Sequence, residues 1–327
     1  MGKAGRRRFL ANAAVSTAAL VPVAGSWGQV SYPSRPIDLV LPFPPGGPTD
    51  VFGRLFAARL SEVLGQTIVV DNRAGAGSAI GASSVAKAAP NGYTVLFGTA
   101  SIATGAATTK LPYDPRKDIV PVALLGIVPL VVLAAPNMPK TFSALVALLK
   151  SAPGKYNYGS AGPGTTTHLA GEMLKLKAGL DVVHVPYRGS GPALQDTVAS
   201  RNAFLFETIT ASQALYSSGK LQLLAIGTKS RSMLLPNVPT IAESGVPGMV
   251  AYTWNVLYVP AGTPNTIVER LNAASNKVLG DPAFANKMAS LATEVVPDST
   301  PASAKAFYFE ELDTWNKVVK DAGIKLE

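Results

Sequence analysis

The segment Pro42–Asp50, with the sequence PFPPGGPTD, constrains the fold of this chain more than any other part of it. The apolar run at 37–41 that precedes it predicts a buried strand, and the apolar spacing over 51–60 that follows predicts a helix face. Thr49 and Asp50 belong to the residue types that cap helix N-termini, so we expect them to cap this helix. The segment therefore predicts a loop between the carboxyl end of a strand and the start of a helix, which is where open α/β sheets bind ligands.

The composition of this loop favours an anion held by main-chain groups. Gly46 and Gly47 allow a ligand to approach the backbone closely, and free N–H groups at a helix start attract negative charge. The loop contains no Lys, Arg or His. If it binds a carboxylate, we expect backbone dipoles rather than a counter-ion to make the contact.

Strand and helix signals alternate along the rest of the chain, which predicts an α/β fold whose mainly parallel sheets are flanked by helices. The apolar run Val122–Ala135 is too short for a membrane span and contains Pro129, so it predicts two short strands that pass from one lobe to another. Glu310 and Glu311 are predicted on the solvated face of the last helix. Further strands are predicted at 67–70, 93–97, 156–159, 182–185, 203–206, 223–227 and 253–259, and helices at 78–89, 141–151, 165–178, 191–200, 265–279 and 302–322.

The N-terminal segment 1–30 has the pattern of an export signal. Four basic residues, Lys3 and Arg6–Arg8, precede an apolar, Ala-rich stretch that ends in small residues near Ala24. The order Arg-Arg-Arg-Phe-Leu fits either a twin-arginine signal or an ordinary secretory signal with an extra arginine. Without these four charges the formal net charge of +9 falls to about +5. The remaining basic residues are scattered, so we expect no nucleic-acid partner. The export signal predicts a periplasmic location.

The residues that common catalytic and metal sites require are scarce. The chain has two histidines, His168 and His184, and no cysteine. It contains neither a phosphate-binding GxxxxGK[ST] loop nor a GxSxG nucleophile elbow. We therefore expect no metal, no cofactor and no enzymatic activity.

Three further glycine- and hydroxyl-rich loops, at 98–101, 159–165 and 187–192, repeat the logic of the first. His168 is expected either to contact a ligand or to be structural, and Arg188 either to pair with a ligand carboxylate or to face solvent or the other lobe. Loops of this kind on two lobes predict a small-molecule cleft that closes at a hinge. The predicted ligand contacts in the four loops are Phe43, Pro44, Gly46, Gly47, Thr49, Asp50, Thr99, Ser101, Ser160, Ala161, Gly164, Thr165, His168, Tyr187, Arg188 and Gly189.

In these loops, and in order along nearly all of the chain after the signal, the sequence resembles the solute receptors of tripartite tricarboxylate transporters, the Bug family. The motifs that carry the resemblance are Pro42–Asp50, Val70–Gly77, Leu111–Pro115, Ser160–Thr165 with His168–Glu172, Pro186–Gly189, Val238–Thr240 with Glu243–Gly245, Pro260–Pro264 and Ala322–Lys325.

The resemblance implies a two-lobed, type II periplasmic binding protein that closes like a Venus flytrap. Lobe 1 would comprise 31–128 and 250–327, and lobe 2 would comprise 129–249. The resemblance also implies a ligand carboxylate held by the first loop and the Ser160–Thr165 loop. It implies a small organic acid as ligand, which can be a di-, tri-, amino- or aromatic carboxylate, and delivery of that ligand to the large and small membrane subunits of a permease.

Two departures from the family pattern fall near the second half of the expected cleft. The family usually has a Gly-Gln-Val-Asp-like segment before a strand ending in Asp, whereas this chain has Ala203 in the segment and Glu207 at the strand end. Glu207 is therefore added to the predicted ligand contacts. A small Gly often follows the tryptophan of the last lobe crossing, whereas Asn255 follows Trp254 here.

The expected function is that of a monomeric periplasmic receptor for an organic carboxylate. Two alternatives are open at this point. The protein could report ligand to a sensor kinase instead of a permease, or it could be an enzyme acting on a small acid.

Overall fold

The computed structural model describes residues 32–324, so the predicted export signal lies outside the described residues. The strands are β1 (Ile37–Leu41), β2 (Ile68–Asn72), β3 (Thr94–Thr99), β4 (Ile119–Ala134), β5 (Asn157–Ser160), β6 (Val183–Pro186), β7 (Phe204–Thr208), β8 (Gln222–Ile226), β9 (Tyr252–Pro260) and β10 (Glu294–Val295). The helices are α1 (Pro48–Leu64), α2 (Ala79–Ala86), α3 (Ser101–Thr108), α4 (Phe142–Ser151), α5 (Thr166–Ala178), α6 (Ser190–Val198), α7 (Ile209–Ser217), α8 (Asn265–Leu279), α9 (Pro282–Ser290) and α10 (Pro301–Asp321).

Two groups of parallel strands are arranged in the same way. In the first, β1 pairs in parallel with β2 and β3, and β9 joins antiparallel to β3. In the second, β5 pairs in parallel with β6 and β7, and β4 joins antiparallel to β7. In both groups the strand that comes first in the chain lies between its two parallel partners. The loops that follow the carboxyl ends of these parallel strands therefore open at the same edge of the sheet. The predicted α/β class is confirmed; the predicted lobe boundaries remain a prediction.

The long strand β4 belongs to both groups. Its first part, Ile119–Pro129, pairs with β9, and its last part, Leu130–Ala134, pairs with β7 on one side and β8 on the other. The prediction of two short strands was therefore wrong. Pro129 has no N–H to donate to a neighbouring strand. It does not end β4, because the next residue, Leu130, donates its N–H to Ala251 O and continues the pairing.

Three backbone segments meet where β4 passes between the two groups. The Leu130 N–H donates to Ala251 O, the Ala251 N–H donates to Gly227 O, and the Gly227 N–H donates to Leu130 O. A Cβ on Gly227 would meet the carbonyl of Ala251 far inside van der Waals contact. This junction therefore requires glycine for close backbone approach rather than for a special turn.

Buried aromatic side chains fill the core on the α10 side of the junction. Trp254 is fully buried, and Glu311 of α10 accepts hydrogen bonds from Trp254 Nε1 at 2.7 Å, Tyr252 Oη at 3.0 Å and Trp315 Nε1 at 3.1 Å. The prediction that Glu311 lies on a solvated face was wrong. Three donors satisfy its oxygens, which is the condition under which a carboxyl group is tolerated inside a core.

The predicted elements are present with ends shifted by a few residues, and α8 has the predicted bounds. The helices α3, α7 and α9 and the strand β10 were not predicted. Within residues 32–324, the longest helices are too short or too polar to cross a membrane.

Candidate functional site

A cavity of about 550 Å³ lies where the first loop, the Ser160–Thr165 loop and the ends of β3 and β7 come together. Hydroxyl groups dominate its polar lining, and aromatic or aliphatic side chains such as Phe43, Phe52 and Leu291 form its apolar wall. The hydroxyl-bearing lining residues are Thr49, Thr99, Ser101, Thr104, Thr108, Thr109, Thr165, Thr166, Thr208, Thr210, Thr253 and Thr293.

Four helices begin at the wall of this cavity. Thr49 is in the first turn of α1, Ser101 is the first residue of α3, Thr165 is the N-cap of α5, and Thr208 is the N-cap of α7. Each helix start carries partial positive charge and N–H groups without intrahelical partners. No Lys, Arg, His, Asp or Glu is among the residues of 32–324 that line the cavity. The arrangement can therefore hold an anion with dipoles and hydroxyl groups alone.

The helix starts differ in how many of their N–H groups are already used. The Thr165 hydroxyl accepts from the His168 N–H, and the Thr208 hydroxyl accepts from the Ala211 N–H. By contrast, the N-cap residues of α1 and α3, Gly47 and Ala100, make no side-chain capping bond. Donors are also missing or used at these two starts, because Pro48 has no N–H and the Ser101 N–H donates to the Thr99 hydroxyl at 3.3 Å, so α1 and α3 do not offer more donors than α5 and α7.

Asp50 shapes the first loop from inside helix α1. The helix begins at Pro48 with Gly47 as its N-cap, so the prediction that Thr49 and Asp50 cap it was wrong. Proline has no N–H group, so Pro48 leaves no donor unpaired at the first helical position, and the helix can begin there. The Asp50 carboxylate instead accepts from Gly46 N–H at 3.0 Å, Asn72 Nδ2 at 2.9 Å and Arg54 Nε at 2.9 Å.

These contacts stabilise the charged form of Asp50. The hydrogen bond from Arg54 is the main reason that the pKa of Asp50 falls from 3.8 to about 2, although burial opposes the shift. Arg54 therefore places a cation beside the loop, although the loop segment 42–50 itself contains none. Its charge is already paired, and Arg54 does not line the cavity.

The Ser160–Thr165 loop is held by a set of short hydrogen bonds. The Thr165 hydroxyl donates to Gly162 O at 2.7 Å, and the Ala161 N–H donates to the Thr167 hydroxyl at 3.0 Å. The Gly164 N–H donates to Nδ1 of His168 at 3.1 Å. Nδ1 must be unprotonated to accept this bond, so the loop geometry requires a neutral His168.

A second histidine supports the same loop from strand β6. His184 Nε2 lies 2.6 Å from the Ser160 hydroxyl, and its ring stacks on that of His168. Burial lowers the pKa of His184 from 6.5 to about 4 and also lowers the pKa of His168. Glu172 opposes both shifts, and Lys175 adds to them. Both rings are therefore neutral at pH 7, as the loop requires.

At the end of β7, Glu207 lies behind the cavity wall rather than in it. It is 3% exposed, and its Oε1 accepts from the Thr208 N–H at 2.8 Å and from the Thr208 hydroxyl at 3.2 Å. Burial raises the pKa of Glu207, whereas hydrogen bonds from Ser190 and Thr208 oppose that shift. Both contacts from Thr208 go to Oε1, and this oxygen can accept them whether the carboxyl group is ionised or protonated at Oε2.

The structure brings six of the predicted ligand contacts to the cavity: Phe43, Thr49, Thr99, Ser101, Gly164 and Thr165. The other eleven, namely Pro44, Gly46, Gly47, Asp50, Ser160, Ala161, His168, Tyr187, Arg188, Gly189 and Glu207, are not among the lining residues. Several of these position the lining loops, as described for Asp50, Ser160, Ala161, His168 and Glu207. Tyr187 donates to Asp196 at 2.8 Å, and Arg188 is exposed.

Sequence reasoning missed the residues that reach the cavity from unpredicted or distant elements. Thr104 and Thr108 lie on α3 and Thr210 lies on α7, and neither helix was predicted. Thr253 and Asn255 line the cavity from β9. The sequence of β9 does not show which of its two faces points to the cavity. The only signal was Asn255, which stands where the family often has glycine. Among residues 32–324, no cluster of three His, Asp or Glu side chains could hold a metal ion.

Comparison with known proteins adds an independent line of evidence. Residues 52–324 match the sequence profile of the family described as "Tripartite tricarboxylate transporter family receptor". Protein BugT of Bordetella pertussis is 39% identical over 302 residues, which cover 91% of this chain and 92% of BugT.

Two solved structures with bound acids have similar folds. An R. palustris protein with adipate is 36% identical with a TM-score of 0.76, and the match covers 90% of this chain and all of that one. MatC from Rhodopseudomonas palustris, with bound malate, is 33% identical with a TM-score of 0.72, and the match covers 88% of this chain and all of MatC.

Proposed function

Because the chain belongs to the tripartite tricarboxylate transporter receptor family, we propose that it is a periplasmic receptor that captures a small organic carboxylate. The proposed ligand site is the cavity lined by the starts of α1, α3, α5 and α7. The receptor would deliver its ligand to a permease with a large and a small membrane subunit.

The observation that carries this proposal is the convergence of four helix starts on a cavity without a charged side chain. A neutral solute would gain little from four aligned dipoles, whereas an anion is stabilised by each of them. The carboxylate is proposed to lie at the starts of α1 and α3, because no N-cap side chain competes for their N–H groups. Lining hydroxyl groups that do not donate to another group within residues 32–324, such as those of Thr49 and Thr166, then complete its hydrogen bonds.

The solved relatives support a carboxylate as the ligand class. One is described with adipate and the other with malate, and both acids carry carboxylates on a short carbon chain. A cavity of about 550 Å³ falls within the usual range of small-molecule sites.

The strand arrangement supports capture by closure. Lobe 1 is proposed to comprise 31–128 and 250–327, and lobe 2 to comprise 129–249. These limits place the lobe boundary at the junction of Leu130, Gly227 and Ala251, where the pairing of β4 changes from β9 to β7 and β8. Bending at such a junction would bring α1 and α3 towards α5 and α7 around the ligand.

Ligand binding tests the proposal directly. Titration calorimetry and thermal unfolding of the purified protein should be run with succinate, malate, adipate, citrate, glutamate and benzoate. We expect at least one acid to raise the melting temperature in a concentration-dependent manner, because binding to the native state stabilises it by mass action. Adipamide, which has the shape of adipate without its charge, is the matched control and should have no effect.

Two results would count against the proposal. Equal binding of adipate and adipamide would show that the cavity does not select an anion. Consumption of the bound acid, followed by mass spectrometry, would favour an enzyme over a receptor.

A further inference from the structure

Glu207 controls the hydrogen-bonding state of one residue in the cavity wall. Its carboxylate Oε1 accepts from both the N–H and the hydroxyl of Thr208, at 2.8 and 3.2 Å. Thr208 lines the cavity, whereas Glu207 is 3% exposed and lies behind it. The charge of Glu207 therefore reaches the cavity only through Thr208.

The Thr208 hydroxyl has one proton and two lone pairs. Its proton is directed to Glu207, and one lone pair accepts from the Ala211 N–H at 3.4 Å. What remains for the cavity is a lone pair. Thr208 can consequently accept a hydrogen bond from a ligand, but it cannot donate one while its proton is bonded to Glu207.

The start of α7 is also a weaker anion site than the starts of α1 and α3, because the carboxyl group of Glu207 lies directly behind it. The Thr208 N–H is taken by Glu207, and the Ala211 N–H is taken by Thr208 itself. The negative charge of Glu207 opposes the partial positive charge of the same helix start. At α1 and α3, by contrast, the N-cap makes no side-chain bond, and the charge of Asp50 in α1 is paired with Arg54.

We propose that Glu207 is a specificity-determining residue that makes the α7 end of the cavity select a neutral hydrogen-bond donor and disfavour a carboxylate. The proposal rests on the function proposed above, and it narrows the ligand class. The preferred ligand is a hydroxy acid whose carboxylate lies at α1 and α3 and whose hydroxyl group donates to Thr208.

A second carboxylate at the α7 end would meet a lone pair and a buried negative charge. An ammonium group would have to leave water for a wall that presents no carboxylate, since Glu207 itself is covered. A hydroxyl group carries no net charge and can donate to Thr208. It is therefore the polar group that this end of the cavity accommodates at the lowest desolvation cost.

Three acids with the same carbon chain test this selection: hexanoate, ω-hydroxyhexanoate and adipate. Their affinities for the full mature protein should be measured by titration calorimetry at neutral pH. For the wild type, we expect ω-hydroxyhexanoate to bind about tenfold more tightly than adipate. In Glu207→Gln the charge is removed, and the preference should shrink by about tenfold.

Two further variants separate this role from a structural one. Glu311→Gln alters another buried carboxyl that does not line the cavity, and it should leave the ratio of the two affinities unchanged. Thr208→Val keeps the shape of the side chain but removes the acceptor. It should weaken ω-hydroxyhexanoate about tenfold and leave hexanoate within about twofold of the wild type.

The possible failures are distinguishable. If the acids bind but Glu207→Gln leaves the ratio unchanged, or if the wild type prefers adipate, the role of Glu207 is overturned and the receptor function stands. If none of the three acids binds at millimolar concentration, both proposals are overturned for acids of this chain length.

Discussion

The imidazole rings of His168 and His184 stack with their centroids 4.0 Å apart and their planes at 21° to each other. Each ring holds a different residue of the same loop, since His168 accepts from Gly164 and His184 bonds to Ser160. A proton on either ring would place a positive charge against the other. The pair therefore couples the shape of the ligand loop to pH.

The stability of the protein should fall as the pH is lowered from about 7 to about 5. The pKa of His184 is 6.5 in its ordinary state and about 4 in the fold, and that of His168 is also lowered, so the unfolded chain binds more protons. The contribution of the two histidines to the free energy of unfolding then decreases as the pH falls through 6.5 towards 4, whereas the raised pKa values of Glu207 and Glu311 act in the opposite direction. We expect a loss of about 1–2 kcal/mol by about pH 5, measured by urea unfolding.

His184→Gln is the matched variant for this experiment, because an amide can still bond to Ser160. Its unfolding free energy should change less with pH over the same range. The Asp50 carboxylate does not interfere, since its contribution is lost only below its ordinary pKa of 3.8, towards 2. Parallel pH curves for the two proteins would contradict the assignment.

Asp50→Ala should reduce both stability and ligand affinity. The substitution removes the acceptor for Gly46 N–H and Asn72 Nδ2 and leaves Arg54 without its ion pair. We expect a loss of about 2–3 kcal/mol in urea unfolding and weaker binding of the cognate acid. Asp71→Ala breaks a half-exposed ion pair with Arg73 and should cost less than about 1 kcal/mol. Equal losses in the two variants would argue against a special role for Asp50.

Ser101→Asp should separate stability from binding. An acidic side chain in the first turn of α3 interacts favourably with the helix dipole, so stability should be unchanged or rise by about 0.5 kcal/mol. The same carboxylate would compete with the ligand for the N–H groups of this helix start. Affinity for the acid should therefore fall by more than about tenfold in calorimetry, and Ser101→Ala should lose less. Tight binding by Ser101→Asp would place the ligand carboxylate elsewhere.

Gly227→Ala should be among the most damaging glycine substitutions in the chain. The new methyl group would meet the carbonyl of Ala251 at the junction with β4, and backbone cannot move aside as a flexible side chain can. We expect a loss of about 2–4 kcal/mol, or failure to accumulate folded protein. Gly191→Ala has open space around its Cβ and should change stability by less than about 1 kcal/mol.

Much of the site could be predicted because many of its residues lie in loops that connect a strand to a helix. Glycine and hydroxyl residues after Leu41, Gly98 and Gly159 mark the ends of strands, and those ends meet at one edge of a sheet. The prediction failed for α3 and α7 because each helix follows its strand with hardly any linker. A stretch such as Ser101–Thr108 is too short to show a helical period.

Glu311 shows that the burial of a side chain can depend on contacts that the local sequence pattern does not reveal. A pair of acidic residues on an amphipathic helix predicts a solvated position, and Glu310 is indeed exposed. Glu311 is buried because Tyr252 and Trp254, far away in the sequence, provide donors at its position. The position of Thr293 in the cavity wall has the same origin, since it depends on how the chain after α9 returns to β4.

The continuous strand β4 has a consequence for how the molecule unfolds. Because its sixteen residues supply the pairing partner for strands of both groups, neither group keeps its complete sheet if the other is lost. The two halves should therefore melt in a single cooperative transition rather than one after the other. An acid bound in the cavity would therefore protect amide hydrogens throughout both groups of strands, and a protein cut within β4 would give two fragments that have to associate in order to fold.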